Sequence, residues 1–122
     1  EEQIQYLVDL TGVFPINLVM DDAVRAKLNS RFVPPISEFD PDLQLVWFIP
    51  RKVTSRKTKN GKDYWIIEAI DDTSNTTSIK CWGVRPGKDT VHINRPYMAR
   101  LDHDPQWGFS TRSIRHNFRL LA

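Results

Sequence analysis

Apolar and polar positions near the start of the chain predict short helices. Within residues 4–8, apolar side chains recur three and four positions apart, the spacing that places them on one helical face. Val24 and Leu28 share a second face, in a run of helix-forming residues that follows two aspartates able to cap the first turn. The proline-rich residues 33–36 are expected to be extended, since proline restricts the residue before it to the β or polyproline region.

Beyond residue 44 the pattern changes to short runs rich in β-branched and aromatic residues, separated by clusters of turn residues. This pattern is typical of an all-β domain. Asn60-Gly61 favours a tight hairpin after the first run, and residues 102–107 are predicted to form the last turn. We predict five strands, at residues 45–56, 64–70, 77–82, 96–101 and 108–114.

The long first strand and the crossing connection between strands three and four predict a particular fold. It is mainly β, a five-stranded OB-fold barrel preceded by a short helical segment. An SH3-like barrel fits the same pattern nearly as well. The predicted boundary divides the chain into a lead-in segment, residues 1–43, and a barrel domain, residues 44–122. Because the chain begins with Glu1 rather than methionine, we expect it to be part of a longer protein.

Charge is distributed unevenly between these two parts. The lead-in segment carries eight acidic against three basic residues, and the barrel domain carries fourteen basic against seven acidic residues. Six of those bases fall within residues 51–62, with no acid among them. Such a cluster attracts polyanions, because Lys and Arg displace the counterions that surround nucleic-acid phosphates. A solvated basic loop is the alternative interpretation of this run.

The composition argues against several classes of protein. With 40% hydrophobic and 26% charged residues over 122 positions, the chain matches one soluble globular domain with its own core. The single cysteine, Cys81, forms neither an internal disulfide nor a zinc site, so we expect a cytoplasmic protein. The longest apolar run, residues 45–49, is too short to cross a bilayer. No membrane partner is therefore expected.

The motifs predict no enzyme chemistry for this domain alone. No glycine-rich phosphate loop is present, and no pattern places a nucleophile beside a base. Asp102-His103-Asp104 could supply metal ligands, but a proline follows directly and the run is typical of a turn. We therefore expect no metal and no cofactor. Residues 44–48 resemble short peptides that dock on bacterial sliding clamps, but their place in the first strand favours a structural role.

Side-chain alternation predicts which residues face outward, because neighbours along a strand point to opposite faces. An inward Ile67 leaves Tyr64 outward on the second strand. An inward Cys81 leaves Lys80 and Trp82 outward on the third. The full set predicted to face inward is Trp65, Ile67, Ala69, Ile79 and Cys81.

Aromatic rings beside basic residues are the combination with which OB folds bind single strands. Ordinary packing of these rings in the barrel is the alternative, since a register slip of one residue would exchange the two faces. The predicted nucleic-acid-binding residues are Arg51, Arg56, Lys57, Lys59, Lys62, Tyr64, Lys80 and Trp82.

Several segments also carry a family resemblance. Arg-Lys-Thr-Lys-Asn-Gly-Lys at 56–62 leads into an apolar strand, then Asp71-Asp72, then Ser-Ile-Lys-Cys-Trp at 78–82. Upstream lie Leu-Thr-Gly-Val-Phe-Pro-Ile at 10–16 and Val-Pro-Pro-Ile-Ser-Glu at 33–38. In order and spacing, these segments resemble the OB domain of the bacterial DNA polymerase III alpha subunit, a C-family replicative polymerase. The resemblance indicates a divergent member of that family, of a phage-replicase kind.

We therefore expect non-specific binding of single-stranded DNA, with the module guiding the template strand near the active site of a replicative polymerase. One alternative is a module that docks other replisome proteins. Another is an RNA-binding OB domain of the anticodon-binding type. Stacking and phosphate contacts serve both nucleic acids, so these residues do not separate DNA from RNA.

Overall fold

The structure is a computed structural model that describes residues 16–73 and 75–121. The helix predicted within residues 4–8 lies outside this range. None of the helices among the described residues has the length and apolar character needed to cross a membrane. The elements are α1 (Ile16–Val19), α2 (Asp22–Ser30), a 3-10 helix (Ile36–Glu38), β1 (Leu45–Lys57), β2 (Asp63–Ile70), β3 (Thr77–Trp82), β4 (Tyr97–Arg100), β5 (Asp102–Asp104), β6 (Gly108–Arg112), α3 (Ile114–Asn117) and β7 (Phe118–Leu120).

The strands form one curled sheet in the order β5-β6-β3-β2-β1-β4-β7. β1, β2 and β3 form an antiparallel meander, and β4 pairs antiparallel with β1. β7 lies beyond β4 and pairs antiparallel with it. β6 runs parallel to β3, and β5 pairs antiparallel with β6. The prediction of a mainly β fold behind a helical segment is confirmed for the described residues.

The number of strands differs from the prediction of five. β5 occupies part of the turn predicted at residues 102–107, so the turn itself is confined to residues 105–107. His103 of β5 contacts two rings, with centroid distances of 5.7 Å to Phe39 and 4.7 Å to Phe109. β7 is not predicted at all, because three residues are too few for an alternating pattern to be recognised.

The inner face of the sheet carries the main core. Ile67 and Ala69 of β2 and Ile79 and Cys81 of β3 have no exposed surface, and Trp65 packs against the same cluster. The inward orientation predicted for these five residues is confirmed. Burial raises the pKa of Cys81 to about 12, so its thiol stays protonated at neutral pH.

The outer face of the sheet is covered at one end. Trp47 of β1 and Ile70 of β2 belong to a second core cluster together with Val24 and Leu28 of α2. We refer to this region as the covered end. α2 forms where the sequence predicts it, and the side chain of Asp21 caps its first turn by accepting a hydrogen bond from the Val24 N–H at 2.9 Å.

Two aspartates after β2 fasten the lead-in segment to the sheet. Asp71 is buried and accepts hydrogen bonds from the Ser37 N–H at 2.9 Å and from the N–H and hydroxyl of Thr73 at 2.8 and 2.6 Å. Burial acts to raise the pKa of Asp71, but the hydrogen bonds outweigh it and hold this pKa below its ordinary value. Asp72 forms a bidentate ion pair with Arg25 of α2, with N···O distances of 2.8 and 3.1 Å.

Candidate nucleic-acid interface

At the other end of the outer face, one row of side chains crosses four strands. Arg56 of β1 lies opposite Tyr64 of β2, and Trp82 of β3 lies opposite Arg112 of β6. The register of β2 on β3 places Tyr64 opposite Trp82 and completes the row. Directly opposed residues on paired strands share a face, so all four side chains point to the same side. We refer to these four residues as the aromatic row.

The two rings of the aromatic row are stacked on each other. Their centroids are 4.7 Å apart and the angle between the ring planes is 29°, a geometry that aromatic pairs favour. Tyr64 and Trp82 are both partly exposed, and the flanking Arg56 and Arg112 are exposed. Because each ring supports the other, the pair forms an aromatic platform between two positive charges. A base can stack on such a platform while a neighbouring phosphate meets an arginine.

A third accessible ring, that of Trp107, lies beside Lys80 of β3. Lys80 is opposite Ser110 of β6, and its ammonium nitrogen lies 5.6 Å from the centroid of the Trp107 ring. Trp107 is 67% exposed in the turn between β5 and β6. Trp107 is not among the residues predicted from the sequence. Its place in a turn is the signal that could have identified it, since flanking strands cannot enclose a side chain there.

The loop between β1 and β2 shapes the surface beside Trp82. Gly61 has a φ of 80°, whereas Asn60 does not take a positive φ. The loop spans residues 58–62 and is closed by a hydrogen bond from the Thr58 N–H to the Lys62 carbonyl at 2.9 Å. The predicted hairpin forms between β1 and β2. The predicted turn is wrong, because the loop is longer than the Asn-Gly pair and only Gly61 of that pair takes a positive φ.

A groove of about 820 Å³ opens between this loop and the segment that follows β3. Trp82 lines it, and the basic side chains in its wall are Lys62, Arg85 and Arg112. We refer to this cavity as the basic groove. Arg85 lies in the connection between β3 and β4. Neither a strand pattern nor a cluster of charges marks this connection in the sequence, so Arg85 is not among the predicted site residues.

The bases predicted from residues 51–62 do not form one surface. Arg56 belongs to the aromatic row, Lys62 lines the basic groove, and Lys59 is exposed in the loop between them. Lys57 forms an exposed ion pair with Asp63, with an N···O distance of 3.4 Å. Two of these side chains, Arg56 and Lys62, therefore belong to the aromatic row or line the groove.

Arg51 lies apart from the other predicted residues. It sits at a β-bulge between Pro50 and Lys52, and its guanidinium donates a hydrogen bond to the side-chain oxygen of Asn94. The Asn94 N–H in turn donates to the Pro50 carbonyl at 2.8 Å. Burial lowers the pKa of Arg51. The structure thus gives Arg51 a role in fastening the loop before β4, away from the aromatic row.

The sequence also offered two other candidate sites, a clamp-binding peptide and a metal site. Trp47, within the run that resembles a clamp-binding peptide, is only 4% exposed, so the structural interpretation of that run is confirmed. In residues 16–73 and 75–121, no group of three or more His, Cys, Asp or Glu side chains lies close enough to hold a metal ion.

No protein-family model and no curated protein matches the chain.

Proposed function

We propose that the chain is an OB-fold module that binds single-stranded DNA without sequence preference, through the outer face of β2 and β3. The observation that carries the proposal is the aromatic row, in which a stacked Tyr64–Trp82 pair lies between Arg56 and Arg112. Within a C-family polymerase, such a module would hold the template strand near the active site, as the sequence resemblance implies.

The order of the strands supports the OB-fold part of the proposal. A single residue, Leu101, separates β4 from β5, so the two can be taken as one bent strand that pairs with β1 at its start and with β6 at its end. On this interpretation, the strand order runs from β1 through β2, β3 and β6 to the bent strand and back to β1. An OB fold is a five-stranded, partly open barrel of this kind, with β7 added outside it.

The chemistry of the site supports binding of a single strand in particular. Stacking requires an unpaired base whose flat face is free, and every base has such a face, so rings alone impose little sequence preference. Arginine at either end of the row supplies charge for the backbone phosphates. A duplex hides its base faces inside the helix and could use only the charges.

A salt titration of oligo-dT binding tests the proposal. If three to five basic side chains meet phosphates, the logarithm of the association constant should fall with the logarithm of the salt concentration with a slope of about −2 to −3.5. Fluorescence anisotropy of a labelled oligomer measures this directly. A flat salt dependence contradicts the proposal and favours a protein-docking module, and tighter binding of oligo-rU than of oligo-dT favours an RNA-binding domain.

A further inference from the structure

We propose that the basic groove binds a phosphate monoester at the end of a nucleic-acid strand, with the terminal base resting against Trp82. This inference rests on the proposed function and makes it more specific, since it assigns strand ends to one part of the surface. Its basis is the side chains in the groove wall and their charges.

The charges in the groove are unbalanced. Lys62, Arg85 and Arg112 line it and are all exposed, and their charged side-chain groups form no ion pair or hydrogen bond with the other described residues. The acidic residue in the wall, Asp63, is already paired with Lys57. Among the described residues, three cations thus line one cavity whose wall contains a single carboxylate, that of Asp63.

This clustering fits a monoester better than an internal phosphate. An internal phosphodiester carries one negative charge, and successive diesters of a strand are spread along its path. A terminal monoester carries about −1.5 to −2 charges near neutral pH, as phosphorylated side chains do. Three cations around a single cavity match that concentrated charge, and arginine guanidinium groups can bind phosphate oxygens in a bidentate manner.

The position of Trp82 adds a site for the base next to that phosphate. The ring stacks on Tyr64, and it also lines the groove. A nucleotide that contacts Trp82 therefore lies within the same cavity as Arg85 and Arg112. The groove volume of about 820 Å³ falls within the roughly 300–1,000 Å³ of pockets that bind small ligands, which is room for one terminal nucleotide.

The direct test compares ten-residue oligo-dT with a phosphate or a hydroxyl at one end and a fluorophore at the opposite end. Both the 5′ and the 3′ ends are tested in this way by anisotropy. We expect at least about fivefold tighter binding of one phosphorylated oligomer than of its hydroxyl partner. The double variant Arg85→Gln/Arg112→Gln should remove this preference, while the control Lys27→Gln/Arg31→Gln, which removes equal charge from exposed positions at α2, should keep it.

The outcomes separate the two proposals. Equal affinity for phosphate and hydroxyl ends overturns the strand-end proposal but leaves single-strand binding intact. Binding of only a phosphorylated oligomer supports the strand-end proposal and contradicts binding along the whole strand, whereas no binding of either oligomer contradicts both proposals. Binding of free thymidine monophosphate as tightly as of the phosphorylated oligomer also overturns the strand-end proposal, because the groove then takes nucleotides rather than strand ends.

Discussion

The two ends of the outer sheet face contain similar side chains in opposite surroundings. At the covered end, Trp47 is 4% exposed beneath α2 and Ile49 is fully buried. At the aromatic row, Tyr64 and Trp82 remain partly exposed, and their neighbours in the row are arginines. The same kind of residue thus stabilises the fold at one end and stays accessible at the other.

The difference shows what accessible rings on a sheet can indicate. A half-exposed aromatic pair contributes less hydrophobic stabilisation than a buried one, because stabilisation grows with the apolar area removed from water. Where a ring stays accessible and its neighbours are cations, binding is a better explanation than folding. Four predictions test this contrast, ordered by their expected effect on the free energy of unfolding.

Replacing Trp47 by alanine should have the largest effect. Removal of a buried tryptophan costs about 3–5 kcal/mol of stability, because a cavity remains under α2. Urea denaturation of the purified protein measures this change. The control is Trp107→Ala, which removes a ring that is 67% exposed and should cost about 0.5 kcal/mol or less. Equal costs for the two variants would contradict the contrast.

Replacing Asp71 by asparagine should weaken the attachment of the lead-in segment by about 1–3 kcal/mol, since the new amide cannot accept every hydrogen bond that the carboxylate accepts. The pKa of Asp71 is lower in the folded protein than its ordinary value. The unfolded chain therefore takes up this proton first as the pH falls, and the stabilisation by Asp71 is lost below about pH 4.

Denaturation curves at pH 6 and pH 3 check this pH dependence. The wild-type protein should lose more stability on acidification than Asp71→Asn, which has no proton to gain at that position. An equal loss in both proteins would show that other groups control acid stability.

Replacing Trp82 by alanine should affect binding more than folding. Loss of the ring contact with Tyr64 should cost about 1 kcal/mol of stability, whereas loss of a stacking surface worth about 1–3 kcal/mol should weaken oligo-dT binding roughly tenfold or more. A thermal melt and an anisotropy titration measure the two effects. Trp82→Phe, which keeps an aromatic face, should restore most of the affinity. Unfolding as severe as in Trp47→Ala would show that Trp82 is a core residue.

Neutralising Arg56 of the aromatic row together with the nearby bases Lys57 and Lys59 should have the smallest effect on stability. In Arg56→Gln/Lys57→Gln/Lys59→Gln, the three changes together should cost about 0.5 kcal/mol or less, since exposed charges and exposed ion pairs contribute little to stability. The salt slope of oligo-dT binding should become shallower by about 0.7 for each phosphate contact that is lost. The matched triple variant at Lys27, Arg31 and Lys88, exposed bases outside the row and the groove, should leave the slope unchanged. Loss of cooperative melting in the first variant would show that the loop is structural.

Sequence alone determined the features that depend on one strand or one helix at a time. Alternation along β2 and β3 predicted the inward side of Ile67 and Cys81, and with it the outward side of Tyr64 and Trp82. A cap at Asp21 or Asp22 and the face shared by Val24 and Leu28 predicted α2. These features are local, because side-chain direction repeats with a fixed period in each element.

Tertiary structure alone decided which elements meet. The parallel pairing of β3 with β6 brings Arg112 beside Trp82. Arg51 lies at the bulge in β1, where its side chain donates a hydrogen bond to Asn94 instead of joining the aromatic row. The basic groove joins Lys62, Arg85 and Arg112 from three separate parts of the chain. Strand pairing and register follow from the packing of the whole core, through contacts between residues distant in sequence. No local pattern of apolar and polar residues contains that information.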